Sequence, residues 1–481
     1  NLPQAGVHGR AETRIGTGND ERSGGIVVEG SSNSIAWHVD AFRRETDDVE
    51  IPGSAESAAL RALEAEEADD HEEDSILGVI PNTALKSDGG AAGFSWIGNQ
   101  GYLGVSVSRF DTLYGVPPGA HAHEHAEEAG PDEAEDAPDY VSIDLSQRRL
   151  NLEGEWRNPA GGWQAFRFKA ADFSAIGDEA FLPPTTTDES ALFIFEELKQ
   201  GADIWQFGAR SEWQRITTTD NSGRRNSGQS LSASLGWVRA LGDHWSLAAS
   251  LAHAERLPNA QELYADGPHV GTNAYEIGDA SLGHETSHGI DLTLRRDVGL
   301  VSGSATVFVN RFDGYIYENP TGAEEDGLPV YAFTQRDAQL HGAELETVFH
   351  LWANEAGHVD FTVAGDFVRA RNTTDRTNLP RTTPARLRLG LDWEHNAWRV
   401  GTELSHALKQ DRLAPGEILT ASYSLWSAYV GYRWITSTVT WDVLVRGTNL
   451  TDQEARLHTS FLKDVAPLPG RNVALSLRAS F

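Results

Sequence analysis

The sequence predicts an all-β protein: a transmembrane antiparallel up-and-down β-barrel of about 20 strands. Three observations carry that expectation. Apolar and polar residues alternate with a period of two along most of the chain, short turns and long polar loops alternate between those segments, and tryptophans gather beside the short turns.

The alternation gives the strands. Leu387, Leu389, Leu391 and Trp393 fall on one face, with Arg386, Arg388, Asp392 and Glu394 on the other. The last segment sets Val473, Leu475, Leu477 and Phe481 against Asn472, Ser476, Arg478 and Ser480. Val141, Ile143 and Leu145 stand opposite Ser142, Asp144 and Ser146, and Ala305, Val307 and Val309 lie beside Thr306 and Asn310. Successive side chains of a strand point to opposite faces, so each segment offers one side to lipid and one to water.

The connections give the topology. Compact turns occur at Gly30-Ser31-Ser32-Asn33, Gly98-Asn99-Gln100-Gly101, Asn158-Pro159-Ala160-Gly161-Gly162, Gln200-Gly201-Ala202-Asp203, Leu241-Gly242-Asp243-His244 and Glu394-His395-Asn396-Ala397. Between them run long connections, among them Glu45 to Gly90, Val116 to Asp139, Gly177 to Ser190, Thr217 to Gln229, Glu255 to Leu282, Glu318 to Leu328, Arg371 to Thr383, Lys409 to Ile418 and Thr451 to Gly470. Only the first connection on that side, around Gly18 to Glu21, is short. All long loops at one end is the pattern of an outer-membrane barrel; a soluble sandwich has no reason to keep it. Trp37, Trp96, Trp156, Trp163, Trp205, Trp237, Trp245, Trp352, Trp393, Trp398 and Trp434 lie near short turns, where an aromatic girdle at one bilayer face belongs.

Composition narrows the function. The 481 residues carry 71 acids against 39 bases, a net charge of −32, with no cysteine and no methionine. Disulfides and thiolate metal sites are excluded. Nucleic acid is not an expected partner, because phosphate binding needs a cationic surface. The sequence contains no HExxH, no P-loop and no nucleophile elbow with plausible partners, and it reads as non-enzymatic, with no prosthetic group.

The stretch Glu255-Arg256-Leu257-Pro258-Asn259-Ala260-Gln261-Glu262-Leu263-Tyr264 continues through Gly267-Pro268-His269, Tyr275-Glu276-Ile277-Gly278 and Leu282 to Glu285. It resembles a long extracellular loop of the TonB-dependent outer-membrane receptors, the zinc-uptake receptors in particular. Gly342-Ala343-Glu344-Leu345-Glu346 is similar to the same family, as are Asn449-Leu450-Thr451-Asp452, His458, Pro467-Leu468-Pro469-Gly470-Arg471 and the terminal Phe481. The resemblance implies a bacterial outer-membrane receptor, surrounded by lipid and lipopolysaccharide, most simply a monomer, with Zn2+ as transported or bound ion. Active uptake in that family is driven by TonB through an N-terminal plug. The sequence starts where the resemblance puts the first wall strand, so the expectation is a single barrel domain over 1–481 with neither plug nor TonB box. Barrels of this type have about 22 strands. Trp163 to Phe168 runs directly into Ala171-Asp172-Phe173-Ser174-Ala175-Ile176, so one hairpin is expected to be missing.

The loops hold the candidate metal ligands. His121-Ala122-His123-Glu124-His125 is followed by Glu127 and Glu128, and imidazole and carboxylate are both zinc donors. Extended backbone puts His121, His123 and His125 on one side. His71 sits inside the acidic run Glu64 to Asp74. Residues 45–90 carry 14 acids against Arg61 and Lys86, and residues 120–139 carry 8 acids and no base, so these two loops hold −20 of the net charge. Such a concentration raises the local level of divalent cations, an effect that salt weakens. His269, His284, Glu285 and His288 form a further candidate set; strand parity puts Glu285 toward the lumen with Asp291 and His288 outward with Ile290 and Leu292. Two functions follow: a receptor barrel whose acidic, histidine-bearing loops capture a divalent metal, and a passive outer-membrane pore without a plug.

Overall fold

The computed structural model describes residues 6–67, 76–117, 141–157, 165–171, 181–220, 222–269, 271–325 and 327–481. β1 (Gly6–Gly16), β2 (Arg22–Ser32) and β3 (Ile35–Thr46) open the wall. The first long loop holds a hairpin of β4 (Val49–Ser54) and β5 (Leu77–Ile80), with helix α1 (Ala58–Glu67) between them. The wall resumes with β6 (Leu85–Gly98), β7 (Gly101–Gly115), β8 (Ser142–Arg157) and β9 (Ala165–Ala171). Next come β10 (Thr185–Gln200), β11 (Asp203–Thr218), β12 (Arg225–Leu241) and β13 (Trp245–Arg256). Helix α2 (Ala260–Tyr264) and the small strands β14 (Asp266–His269) and β15 (Ala274–Ile277) occupy the following loop. β16 (Glu285–Arg296), β17 (Val301–Glu325), β18 (Leu328–Asn354) and β19 (Gly357–Asn372) continue the wall. β20 (Arg386–His395), β21 (Trp398–Ala407), β22 (Tyr423–Ile435), β23 (Thr440–Thr448) and β24 (Asn472–Ser480) complete it.

Among the described residues each wall strand after β1, β10 excepted, pairs antiparallel with the wall strand before it, and β1 also pairs with β24, from Arg10 opposite Ser480 to Gly16 opposite Ala474. The sheet numbers 22 strands, of which β14 and β15 belong to a loop, so twenty form the wall. The ladder is unbroken from β10 through β24 and β1 to β9. No ladder from β9 to β10 is described, and residues 172–180, where the missing hairpin is expected, lie outside the described residues.

The short turns form because their residues accept a left-handed backbone. Asn33, Gly201, Gly242 and Asn396 all have positive φ, as tight hairpin turns require. At the same end Trp96, Trp156, Trp245, Trp352 and Trp398 are exposed on the outside of the wall. Val107, Leu150, Ile290, Val307, Leu387 and Leu391 continue this outward apolar face, which in water would be a severe liability and in lipid is the solvated state. Inward positions are polar and paired: Arg386 bonds Asp366, Arg388 reaches Glu346, and Arg478 bonds Glu12. No helix among the described residues is long and apolar enough to cross a membrane, and the strands do the crossing.

Two sequence expectations are corrected. Ile143 and Leu145 do not face lipid: they are half-buried beside Tyr114 and Thr112, on the face opposite Leu150 and Leu152. β8 is longer than the ~10 residues needed to span, and beyond the bilayer its outward positions become polar, with Asp144 and Ser146 exposed. The connection from Glu318 to Leu328 is no long loop but the tip of the β17–β18 ribbon, which stays paired through two register shifts after the ladder to β16 ends at Asp313. Beyond the bilayer a paired ribbon needs no lipid-facing row, so its polarity alone reads as loop.

Candidate functional site

Arg256, the last residue of β13, organises the long-loop end of the barrel. Its guanidinium forks onto Glu285, opposite it on β16, at 3.0 and 2.9 Å, and onto Glu262 at 2.8 and 3.0 Å. Two bidentate carboxylate pairs on one guanidinium clamp both ends of the intervening loop to its short helix. Glu262 also completes a capping box: Asn259 accepts from the Glu262 backbone N–H at 2.9 Å, and Glu262 accepts from the Asn259 N–H at 2.8 Å. The helix so fixed buries Leu263 and Tyr264 against Ile216, Leu282, Ile316 and Phe333.

On this platform the hairpin β14–β15 is laid against the projecting ribbon, β15 running parallel to β18 with Glu276 opposite Tyr331. Glu276 is fully buried. It is not unpaired: His269 Nδ1 lies 2.6 Å from Oε1, Thr272 Oγ1 donates at 2.8 Å, and Gln261 Nε2 donates to Oε2 at 2.8 Å. Burial pushes its carboxyl up, but these hydrogen bonds outweigh burial and hold it below the usual range. The His269 ring stacks on Phe181, centroids 4.0 Å apart. Glu318, on the ribbon, is pushed up to about 7, first by burial and then by the nearby charge of Glu276, although Arg381 bonds it at 3.0 Å.

Arg381 links a second pair. Its backbone N–H donates to Glu417 at 2.5 Å and its guanidinium lies 3.6 Å from the Phe461 ring centre. Glu417 also accepts from the Ala414 N–H at 2.8 Å. The fully buried His458 shares a hydrogen bond with Thr420 at 2.8 Å and points Nε2 toward Glu417 at 3.5 Å. The mouth therefore gathers two histidine–carboxylate pairs, a carboxyl poised near neutrality and one arginine between them, drawn from four loops and the ribbon tip.

The first acidic loop is anchored nearby. Arg456 donates to the Ser54 and Ala55 carbonyls at 3.0 and 2.8 Å, and Ser57 bonds Asp464 at 2.9 Å, so the first and last long loops hold each other across the β1–β24 seam.

The sequence candidates separate. His269 is at the centre, and Glu276, noticed beside it, is its partner. Glu285 points inward as its parity implies, but its carboxylate is taken up by Arg256 and by the Ile316 N–H at 2.8 Å. His288 faces outward, its ring 5.0 Å from His253 on the neighbouring strand. His284 is exposed, and its backbone carbonyl accepts from Gln335. These three do not converge with His269. His71, His121, His123, Glu124, His125, Glu127 and Glu128 lie outside the described residues. Glu318, Arg381 and Glu417 were not singled out from the sequence; each is one charged residue in a polar stretch, and only folding brings them together.

Residues 72–450 match the family model described as TonB dependent receptor-like, beta-barrel. Among solved structures, the copper transporter OprC is 13% identical, with a TM-score of 0.73 over 100% of this chain and 81% of that one. The FrpB iron transporter from Neisseria meningitidis (F3-3 variant) is 14% identical, with a TM-score of 0.68 over 99% and 81%. The siderophore receptor PirA from Acinetobacter baumannii is 14% identical, with a TM-score of 0.68 over 100% and 81%. At such identities the likeness is one of fold, but the family model spans most of the chain. The chain belongs to the TonB-dependent receptor β-barrel family, and its wall is that of a Gram-negative outer-membrane receptor.

Proposed function

We propose that this receptor barrel takes up a divalent transition metal, with zinc the first candidate, bound at the mouth before passage. The observation that carries the reading is His269 seated on the fully buried Glu276, with Glu318 close enough to feel its charge. Imidazole with carboxylate is a donor set for zinc, nickel and copper. The acidic loops, at −20 together, supply the long-range attraction, and the loop with His121, His123 and His125 the first capture. Solved structures named as a copper transporter, an iron transporter and a siderophore receptor fit a metal-linked cargo. Transport itself draws on TonB through a plug, as in the family; the barrel supplies capture and path.

Calorimetric titration of zinc into the tag-free protein in detergent tests this. Saturable binding is expected, weakened at least ~10-fold in His269→Ala and reduced in stoichiometry when His121, His123 and His125 are all changed to Ala. Affinity should rise as pH increases through about 7, because Glu318 must release its proton before its charge counts. Titrations with zinc, nickel and copper indistinguishable from both variants would overturn the reading.

A further inference from the structure

At the opposite end of the lumen one hairpin brings three donor groups to a single point. His350 lies near the end of β18, and His358 and Asp360 near the start of β19. Phe349 and Phe361, opposite each other in register with ring centres 6.1 Å apart, form the outward row. The period-two alternation then sends His350 and Asp360 inward. A register shift between His350 and Trp352 inserts one residue into β18. On β19 the same alternation puts His358, two residues before Asp360, on that inner face as well.

The geometry is close. His350 Nδ1 lies 2.8 Å and His358 Nε2 lies 2.6 Å from the same oxygen of Asp360. One donor atom from each of the three residues falls within 4.8 Å of the others. On the far side of the His350 ring, Nε2 is 2.9 Å from Ser302 Oγ, which fixes the ring's orientation. β20 places Asp392 opposite Asp360 and Glu394 opposite His358, so further carboxylate lies one strand away. The three side chains are 32%, 43% and 27% exposed, open to ions from the lumen.

We propose that His350, His358 and Asp360 form a divalent transition-metal site on the inner wall at the short-turn end. Two imidazoles and one carboxylate are the protein donors of many four-coordinate zinc sites, the fourth position going to water or a neighbouring carboxylate. Metal–ligand bonds of about 2.1 Å set neighbouring donors about 3.4 Å apart, so the present contacts must open slightly, a change that small side-chain rotations supply. Each ring then binds through the nitrogen that its tautomer leaves free. His350 keeps its proton on Nε2, facing Ser302, and turns the Nδ1 lone pair to the metal; His358 keeps its proton on Nδ1 and binds through Nε2. A partner group that holds a ligating ring by its other nitrogen is the usual support of such sites. The site does not rest on the transport reading, because its ligands come from the wall alone and share no residue with the mouth.

The test is zinc stoichiometry of the tag-free chain in detergent micelles, with copper(II) electron paramagnetic resonance as a second readout. Wild type is compared with His358→Ala, His358→Gln, Asp360→Asn and the mouth variant His269→Ala. Each wall variant is expected to bind one zinc fewer than wild type, and each His358 variant to lose one nitrogen from the copper spectrum, while His269→Ala keeps this site. The glutamine variant, which retains a polar side chain in the same row, guards against a folding defect in the alanine variant; heat-modifiable electrophoretic mobility confirms that each barrel is formed. Unchanged stoichiometry and an unchanged copper spectrum in all the wall variants would overturn the site. Loss in His269→Ala alone would place the ion at the mouth and likewise exclude it here.

Discussion

The two ends of the barrel collect histidine and carboxylate by different means. At the long-loop end His269 meets Glu276 only because a clamped loop folds back and adds a strand to a projecting ribbon. At the short-turn end His350, His358 and Asp360 meet because one hairpin has one register. The consequence is burial. Glu276 has no exposed surface and Glu318 is pushed up to about 7, whereas Asp360 stays over a quarter exposed. A site made of loops can be enclosed and electrostatically tuned, but it depends on every contact of the platform; a site made of adjacent strands is open and depends only on the wall.

The largest effect expected from that difference is with pH. The folded pKa of Glu318, about 7, lies above its ordinary 4.5, so the folded mouth holds a proton that the unfolded chain has released. Stability of the mouth loops should therefore fall as pH rises from about 4.5 to 7, by about 3 kcal/mol at full ionisation. Hydrogen exchange over residues 260–282, corrected for intrinsic rates, should show more protection at pH 5 than at pH 8, and Glu318→Gln should flatten the difference. Protection near the β18–β19 turn should not follow this pattern; if both ends respond alike, the contrast fails.

Arg256→Ala comes next. It leaves Glu262 and Glu285 without their shared cation, and a cost of about 2 kcal/mol to the platform is expected, since the guanidinium is partly exposed. Limited proteolysis should cut within residues 257–284 while heat-modifiable mobility shows the wall intact. Cleavage no faster than in wild type would show that the apolar cluster of Leu263 and Tyr264 holds the loop unaided.

The smallest effect belongs to the wall. His358→Ala removes a half-exposed side chain from a ladder that its backbone still makes, and should change the thermal midpoint of the metal-free barrel by no more than the equivalent of about 0.5 kcal/mol. A larger loss would mean that the trio is structural.

Much of the wall was legible because lipid and water impose a residue-by-residue alternation. The face containing Leu387 and Leu391, the tryptophans beside tight turns and the count of about 20 strands follow from that constraint. It fails where the constraint ends. Ile143 and Leu145 lie past the bilayer, where an apolar residue can turn inward, and the ribbon tip around Glu318 is paired beyond the bilayer with no lipid-facing row to announce it. In the site, His269 was visible as a histidine in a characteristic loop, but its set was not. Parity correctly sent Glu285 inward and His288 outward, yet gave no sign that Arg256 would occupy the Glu285 carboxylate.

The sequence by itself determined the barrel class, the end that carries the long loops and the acidity of those loops, since each depends on local periodicity, turn chemistry or simple charge. Tertiary structure decided which charges are buried together. Glu276, Glu318, Arg381, Glu417 and His458 are remote in sequence, and the protonation of the three glutamates depends on desolvation and on neighbours that only the closed platform brings within reach. It also decided the trio at the far end, because the register that sets His350 opposite Asp360 brings the inner faces of two strands together at that point.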